Sequence, residues 1–207
     1  MGPTDPKTVF AGLHHRVTGE LLHLLDGFYS NIEDGLFELA YQVDDGAQRR
    51  RCFDLMREMR YRRGSLIQTF AKRLQRHQPD WFGGEDTRGE RQDLTVLARR
   101  MAEKSNTHFA GVLRELSERA ADGAESGTQT VDIPIRPERI AFHFIASCQS
   151  LDFDKHSIAI VESLFGRFVL DRMGSLYGEC NSSLMNAGYR TLEEAALLAS
   201  DTAPGIA

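Results

Sequence analysis

The chain has 207 residues, 41% of them hydrophobic and 27% charged, with a formal net charge of −5. This is the composition of an ordinary globular protein long enough to bury a core. It excludes a collagen, a disulfide-stapled miniprotein and a wholly disordered chain. Cys52, Cys148 and Cys180 stand far apart with no CxxC pair, so neither disulfides nor a zinc ribbon is expected, and a reducing compartment fits. Met1 to Val9 shows no basic stretch followed by an apolar run, the mark of a signal peptide. The apolar runs are a few residues long, where a membrane span needs roughly 20. A cytoplasmic protein with no membrane segment is expected.

Apolar residues recur every third or fourth position through most of the chain. Period-two alternation is confined to Thr130 to Ile135. The pattern predicts an all-α protein: one domain over residues 1–207, an irregular bundle of about six to seven helices, two of them long. Frayed ends are expected at 1–6 and 200–207, and loops near 78–92 and 121–137. The first helix is predicted over Val9 to Phe28, with Phe10, Leu13, Val17, Leu21, Leu24 and Phe28 on one side. Ser30 and Glu33 have the spacing of a capping box, which predicts a second helix from Asn31 to Val43. A long third helix is predicted from Gly46 to His77, with Phe53, Met56, Met59, Leu66, Ile67, Phe70 and Leu74 as its stripe. The fourth is predicted over Asp93 to Ala121. Pro137 suits the first turn of a short fifth helix ending near Ser150. Asp154 reads as the N-cap of a sixth running to Ala187, roughly 50 Å long if unbroken.

Charge is unevenly spread. Between Arg49 and Arg76 lie ten basic residues and only Asp54 and Glu58 as acids, a net of +8 that leaves −13 for the remainder. Such a helix can dock on an anion such as nucleic-acid phosphate, a nucleotide or an acidic partner. It can equally be paired inside the fold, because the preceding segment carries Glu33, Asp34, Glu38, Asp44 and Asp45 and must pack antiparallel to it. A plain solvated face is the third reading. The pairing reading nominates a charged cluster of Asp34, Glu38, Arg57, Arg60 and Arg63, with Asp34 or Glu38 as the expected partners. If such a pair is buried, truncating Arg60 is strongly destabilising.

No catalytic, cofactor-binding or metal-ligating set emerges. His15 and His23 fall eight apart on one helix, with no carboxylate at metal spacing. His143 and Cys148 lie five apart and lack an orienting group. Asp152-Phe153-Asp154 opens a helix, where Asp is expected as a cap. Gly83-Gly84 belongs to no phosphate loop. Trp81-Phe82 reads as a plug at the end of a bundle or as a docking pair.

Two stretches carry a family resemblance. Asn31-Ile-Glu-Asp34-Gly-Leu36-Phe37-Glu38-Leu39-Ala40, with Phe53-Asp54-Leu-Met56-Arg57-Glu58-Met-Arg60-Tyr-Arg-Arg63 and then Ile67 and Phe70, resembles the "DDALFELA … YFDAMREVR.KR..IE..F" core of a proteobacterial family, domain of unknown function 1631. Leu164-Phe165-Gly-Arg167-Phe-Val169-Leu170 through Leu176-Tyr177 to Ala187-Gly188 is similar to its "LFDRHVL..LGALYDELN..LIEAGVLP". Ile135 to Ser150 follows the family more loosely. The resemblance spans most of Val9 to Gly188. The chain departs after Gly188, with Tyr189-Arg190-Thr191 in place of "VLP", and lacks the acidic run before the fourth helix. Some family members carry the label thymidine phosphorylase, which no motif here supports. Longer members add a barrel similar to cyclic-di-GMP-binding PilZ domains. The resemblance implies a helical bacterial module with a link to signalling.

These readings converge on a non-enzymatic, cytoplasmic helical interaction or regulatory module with a protein partner and no cofactor. The alternative is a nucleic-acid- or nucleotide-binding protein using the Arg-rich helix 49–76. An enzyme whose site leaves no motif is the third. The sixth helix is apolar on more than one face, which predicts either a homodimer covering it or a central place in the bundle.

Overall fold

The computed structural model describes residues 6–76, 92–124, 131, 133–151 and 153–201. Almost all of the loop expected near 78–92 lies outside these residues, as do 125–130 and 132 of the one expected near 121–137, Trp81-Phe82, Gly83-Gly84 and Asp152. Among the described residues the protein is all-α, with no strand. Its helices are α1 (Pro6–Gln42), α2 (Gly46–Arg76), α3 (Gln92–His108), α4 (Ala110–Ala124), α5 (Pro137–Ser147), α6 (Lys155–Phe168), α7 (Gly174–Asn186) and α8 (Leu192–Asp201), with a 3₁₀ turn at Leu170–Arg172 between α6 and α7.

The two helices expected between Val9 and Val43 are one. Ser30 Oγ donates to the Asp26 carbonyl at 3.0 Å and Asn31 Nδ2 to the Gly27 carbonyl at 2.7 Å. Both side chains therefore fold back on the preceding turn instead of capping a new one. The resulting 37-residue helix is roughly 55 Å long and spans the molecule. Its apolar stripe, from Phe10 through Leu25, Phe28 and Ile32 to Ala40, is buried along its whole length. It packs on α2 and α6, and it also meets α7. At Gly35 the approach of α6 is so close that a Cβ would stand 2.6 Å from Leu164 Cδ1.

The segment expected as one helix from Asp93 to Ala121 bends at Phe109. The backbone ladder continues through the bend, from Phe109 N to Ser105 O and from Leu113 N to Phe109 O. The Phe109 ring turns inward onto Tyr177, edge to face at 5.2 Å. The bend lets α3 pack on α5 while α4 packs on α7.

The expected long sixth helix also breaks. Asp154 caps α6 as expected, accepting from the amides of His156 at 3.1 Å and Ser157 at 2.8 Å. The helix ends at Phe168, and the 3₁₀ turn redirects the chain. The apolar residues that spread beyond one stripe, Val169, Leu170 and Met173, are fully buried at this corner. The chain's own core covers the surface that motivated a dimer through this helix. α7 closes in a Schellman motif: Tyr189 N reaches Leu184 O at 3.1 Å, Gly188 N reaches Met185 O at 3.0 Å, and Gly188 adopts φ +96°.

The helix α8 has no counterpart among the expected elements. Its N-terminus is a reciprocal capping box: Thr191 N donates to Glu194 Oε2 at 3.0 Å and Glu194 N to Thr191 Oγ1 at 3.3 Å.

At the centre, Phe28, Phe144 and Phe165 form a ring cluster. Phe144 stacks on Phe165 at 4.0 Å, and Phe28 meets both edge to face at 5.2 and 5.8 Å.

Candidate functional site

The helix α2 carries the sequence's largest charge concentration. It packs antiparallel on α1 through the short turn at 43–45. Residues of α1 seven apart, such as Asp26 and Glu33, share a face two turns apart. That face meets α2. Arg60 forms a two-pronged pair with Glu33, Nε to Oε1 at 2.8 Å with Nη2 on Oε2, and Arg63 Nη2 pairs with Asp26 Oδ1. The expected partners, Asp34 and Glu38, instead point outward and have no basic partner among the described residues. Asp34 sits about 100° round the helix from Glu33, off the α2-facing side. Arg57 leans on Asp54 of its own helix at 3.8 Å.

Other arginines of α2 are also engaged. Arg49 donates to the Ala40 and Val43 carbonyls at 3.0 and 2.9 Å, closing the C-terminus of α1. Arg51 lies 3.6 Å from Asp154, and Arg62 lies 2.9 Å from Glu58. These pairs lie at the surface: the Arg57 side chain is 80% exposed and that of Arg60 67%. The hydrogen bond from Arg60 holds the Glu33 carboxyl below its ordinary range. Exposed pairs are screened by solvent and contribute little stability. The strong destabilisation foreseen for a buried pair does not apply here. Arg60→Ala is expected to leave the melting temperature nearly unchanged, checked by thermal unfolding followed by circular dichroism.

The buried charge lies elsewhere, at a residue the sequence reading did not nominate. Arg119 of α4 has a side chain 6% exposed. It grips Glu194 with both terminal nitrogens at 2.7 Å, donates to the Tyr189 carbonyl at 2.8 Å and reaches Asn181 Oδ1 at 3.2 Å. The Glu194 carboxyl is pulled to about 2, chiefly by this guanidinium and then by the Thr191 amide. Glu118 accepts from Leu192 N, and Asp122 from Arg190 N, on the same approach. A cleft of about 310 Å³ opens beside it, lined by Arg114, Glu115, Glu118 and the first turn of α8. Every polar group of the grip has an internal partner, so its chemistry is that of a clasp holding α8 against α4.

His14 is buried against Thr18, 3.4 Å from its hydroxyl, and burial holds it below its ordinary 6.5. His15 and His23 face outward. No group of three metal-capable side chains occurs among the described residues. The three thiols are buried. Burial raises Cys52 and pushes Cys148 and Cys180 up to about 12. Cys148 shares a hydrogen bond with Tyr29. An Ellman titration is expected to find no fast-reacting thiol in the native protein and three after denaturation.

Among the described residues, two groups of large apolar side chains stay in solvent, besides Tyr61 and Val96 standing singly. On α8 and the end of α7 these are Leu192, Leu197, Leu198 and Met185. At the far end of the molecule, Phe37 is 47% and Tyr41 70% exposed. Their rings lie 4.7 Å apart, and Phe37 rests on the edge of Phe53 from α2 at 6.2 Å.

Neither a curated protein nor a solved structure matches the chain. A family model does match, over residues 5–188, described as protein of unknown function (DUF1631) N-terminal domain; α8 follows the matched region. The helical frame, the charged hairpin of α1 and α2 and the buried corner at 169–173 all fall inside that match, and the chain belongs to the DUF1631 family.

Proposed function

We propose that this domain is a non-enzymatic helical interaction module, serving regulation in the bacterial cytoplasm. The observation that carries the reading is the exposed Phe37–Tyr41 pair, its rings in tilted contact 4.7 Å apart. Single surface apolar residues are ordinary. Contiguous rings fixed on a third are the kind of surface that partners cover. The alternative, phosphate binding by α2, draws less support, because Arg49, Arg51, Arg60, Arg62 and Arg63 are engaged within the fold.

A pull-down from native cells at low and high salt, with mass spectrometry and a nucleic-acid assay on the same eluate, tests both. A defined protein partner, whether kept at high salt or only at low salt, supports the module. Nucleic acid that elutes at low salt and is lost at high salt, with no protein partner, replaces it with the alternative. Gel shifts at physiological salt are expected to show no submicromolar affinity for a defined DNA duplex, because the rest of the chain carries −13.

A further inference from the structure

We infer that the tip of the α1–α2 hairpin docks a basic peptide segment of a partner protein, through Phe37 and Tyr41 and the carboxylates beside them. The inference rests on the interaction-module reading and gives it a place and a chemistry.

The rings are held in position. Phe37 and Tyr41 are four residues apart on the last two turns of α1, so they stand one above the other on a single face. Phe53, half-buried on α2, props Phe37 from the side. A ligand meeting this surface therefore finds ring faces whose orientation is already set, and little ordering entropy opposes binding.

The charges beside the rings are negative and unspent. Asp34 lies one turn before Phe37, Glu38 follows it directly, and Asp44 lies in the turn beyond Tyr41; all three are exposed. None has a basic partner among the described residues. The neighbouring guanidiniums are directed elsewhere. Arg49 faces the Ala40 and Val43 carbonyls, Arg51 faces Asp154, Arg57 faces Asp54 and Arg60 faces Glu33. Arg49, turned onto carbonyls, and Arg50 are the guanidiniums of this stretch without an acid, two against three carboxylates.

Aromatic faces with carboxylates at their edge select cations. The negative ring face attracts an ammonium or guanidinium, the carboxylates accept its hydrogen bonds, and the alkyl stem of Lys or Arg covers the ring edge. An acidic or phosphorylated segment would meet repulsion from Asp34, Glu38 and Asp44. A purely apolar segment would strand those carboxylates against a dry surface.

The test uses the full chain and a fluorescein-labelled peptide of alternating Lys/Arg and Ser, followed by fluorescence anisotropy. A Glu/Ser peptide of equal length is the control. Saturable binding of the basic peptide is expected, with none of the acidic one. Tyr41→Ala is expected to weaken binding about tenfold, as is the double variant Asp34→Asn, Glu38→Gln. These positions are exposed, so circular dichroism should show each variant folded; any variant that is not is replaced by Tyr41→Ser. Absence of binding overturns the inference, and so does binding indifferent to these substitutions or equal for the acidic peptide. In each of those cases a protein partner in the pull-down keeps the module reading intact. A pull-down that returns no protein partner overturns the module reading instead.

Discussion

Arg119→Ala is expected to destabilise the protein by roughly 3 kcal/mol, the lower end of the cost of breaking a buried ion pair. The guanidinium is almost fully enclosed, and its removal takes a donor from the Tyr189 carbonyl and from Asn181 Oδ1 as well as the cation from Glu194. Glu194 itself is 40% exposed and can turn to water, which keeps the cost from the upper end of that range. Arg119→Lys should recover only part of the loss, because an ammonium cannot grip both carboxylate oxygens in the plane of a fork. Chemical denaturation with the slope held common measures the loss. Hydrogen exchange should show α8 released first. The pH dependence has a definite sign. The Glu194 carboxyl falls from an ordinary 4.5 to about 2 in the folded protein. The clasp therefore contributes in full above about pH 4.5 and is lost as the pH falls toward 2. Buried His14, held below 6.5, adds a loss of the same direction that begins at higher pH.

The second large effect belongs to the ring cluster. Phe165→Ala is expected to cost roughly 3–5 kcal/mol. The side chain is fully buried, stacked on Phe144 and edge-on to Phe28. The cavity would open where α1, α5 and α6 meet, three helices too closely held to collapse into it. Phe165→Leu should restore much of the loss. A Phe165→Ala melting temperature within a degree or two of wild type would show that this cluster does not organise the core.

How far the sequence carries the fold can be seen at individual positions. Helical periodicity identifies the class and much of the core, because burying a stripe is what forms these helices, but on α2 it takes Phe53 and Met56 where Cys52 and Leu55 are the buried pair, and it draws no stripe for α5. Gly46, Pro137 and Asp154 mark real helix starts, since each acts through local backbone chemistry. The errors lie where local and tertiary signals compete. Ser30 and Glu33 have capping-box spacing, yet Glu33 is taken by Arg60 and Ser30 turns back on its own helix. The same signature at Thr191 and Glu194 is genuine, and its spacing in the sequence was the available signal for α8. The bend at Phe109 and the corner at 169–173 leave continuous apolar patterns behind them, so periodicity alone joins what packing divides. Internal pairing of the Arg-rich helix was legible in the charge asymmetry. Its partners were not, because they depend on hairpin register: Asp26 and Glu33 face α2, while Asp34 and Glu38 look outward.

The continuity of α1 through Ser30 has a mechanical consequence. One end of this helix is held by Tyr189, 5.9 Å from Phe10, and by Glu179, 3.9 Å from Arg16. The other end carries the aromatic tip. An unbroken helix is stiff in bending over this length, so the aromatic tip and the α7 end are joined by one continuous hydrogen-bonded element with no hinge between them. A fold with two helices here would have had a joint at its middle, and its two ends would have moved independently.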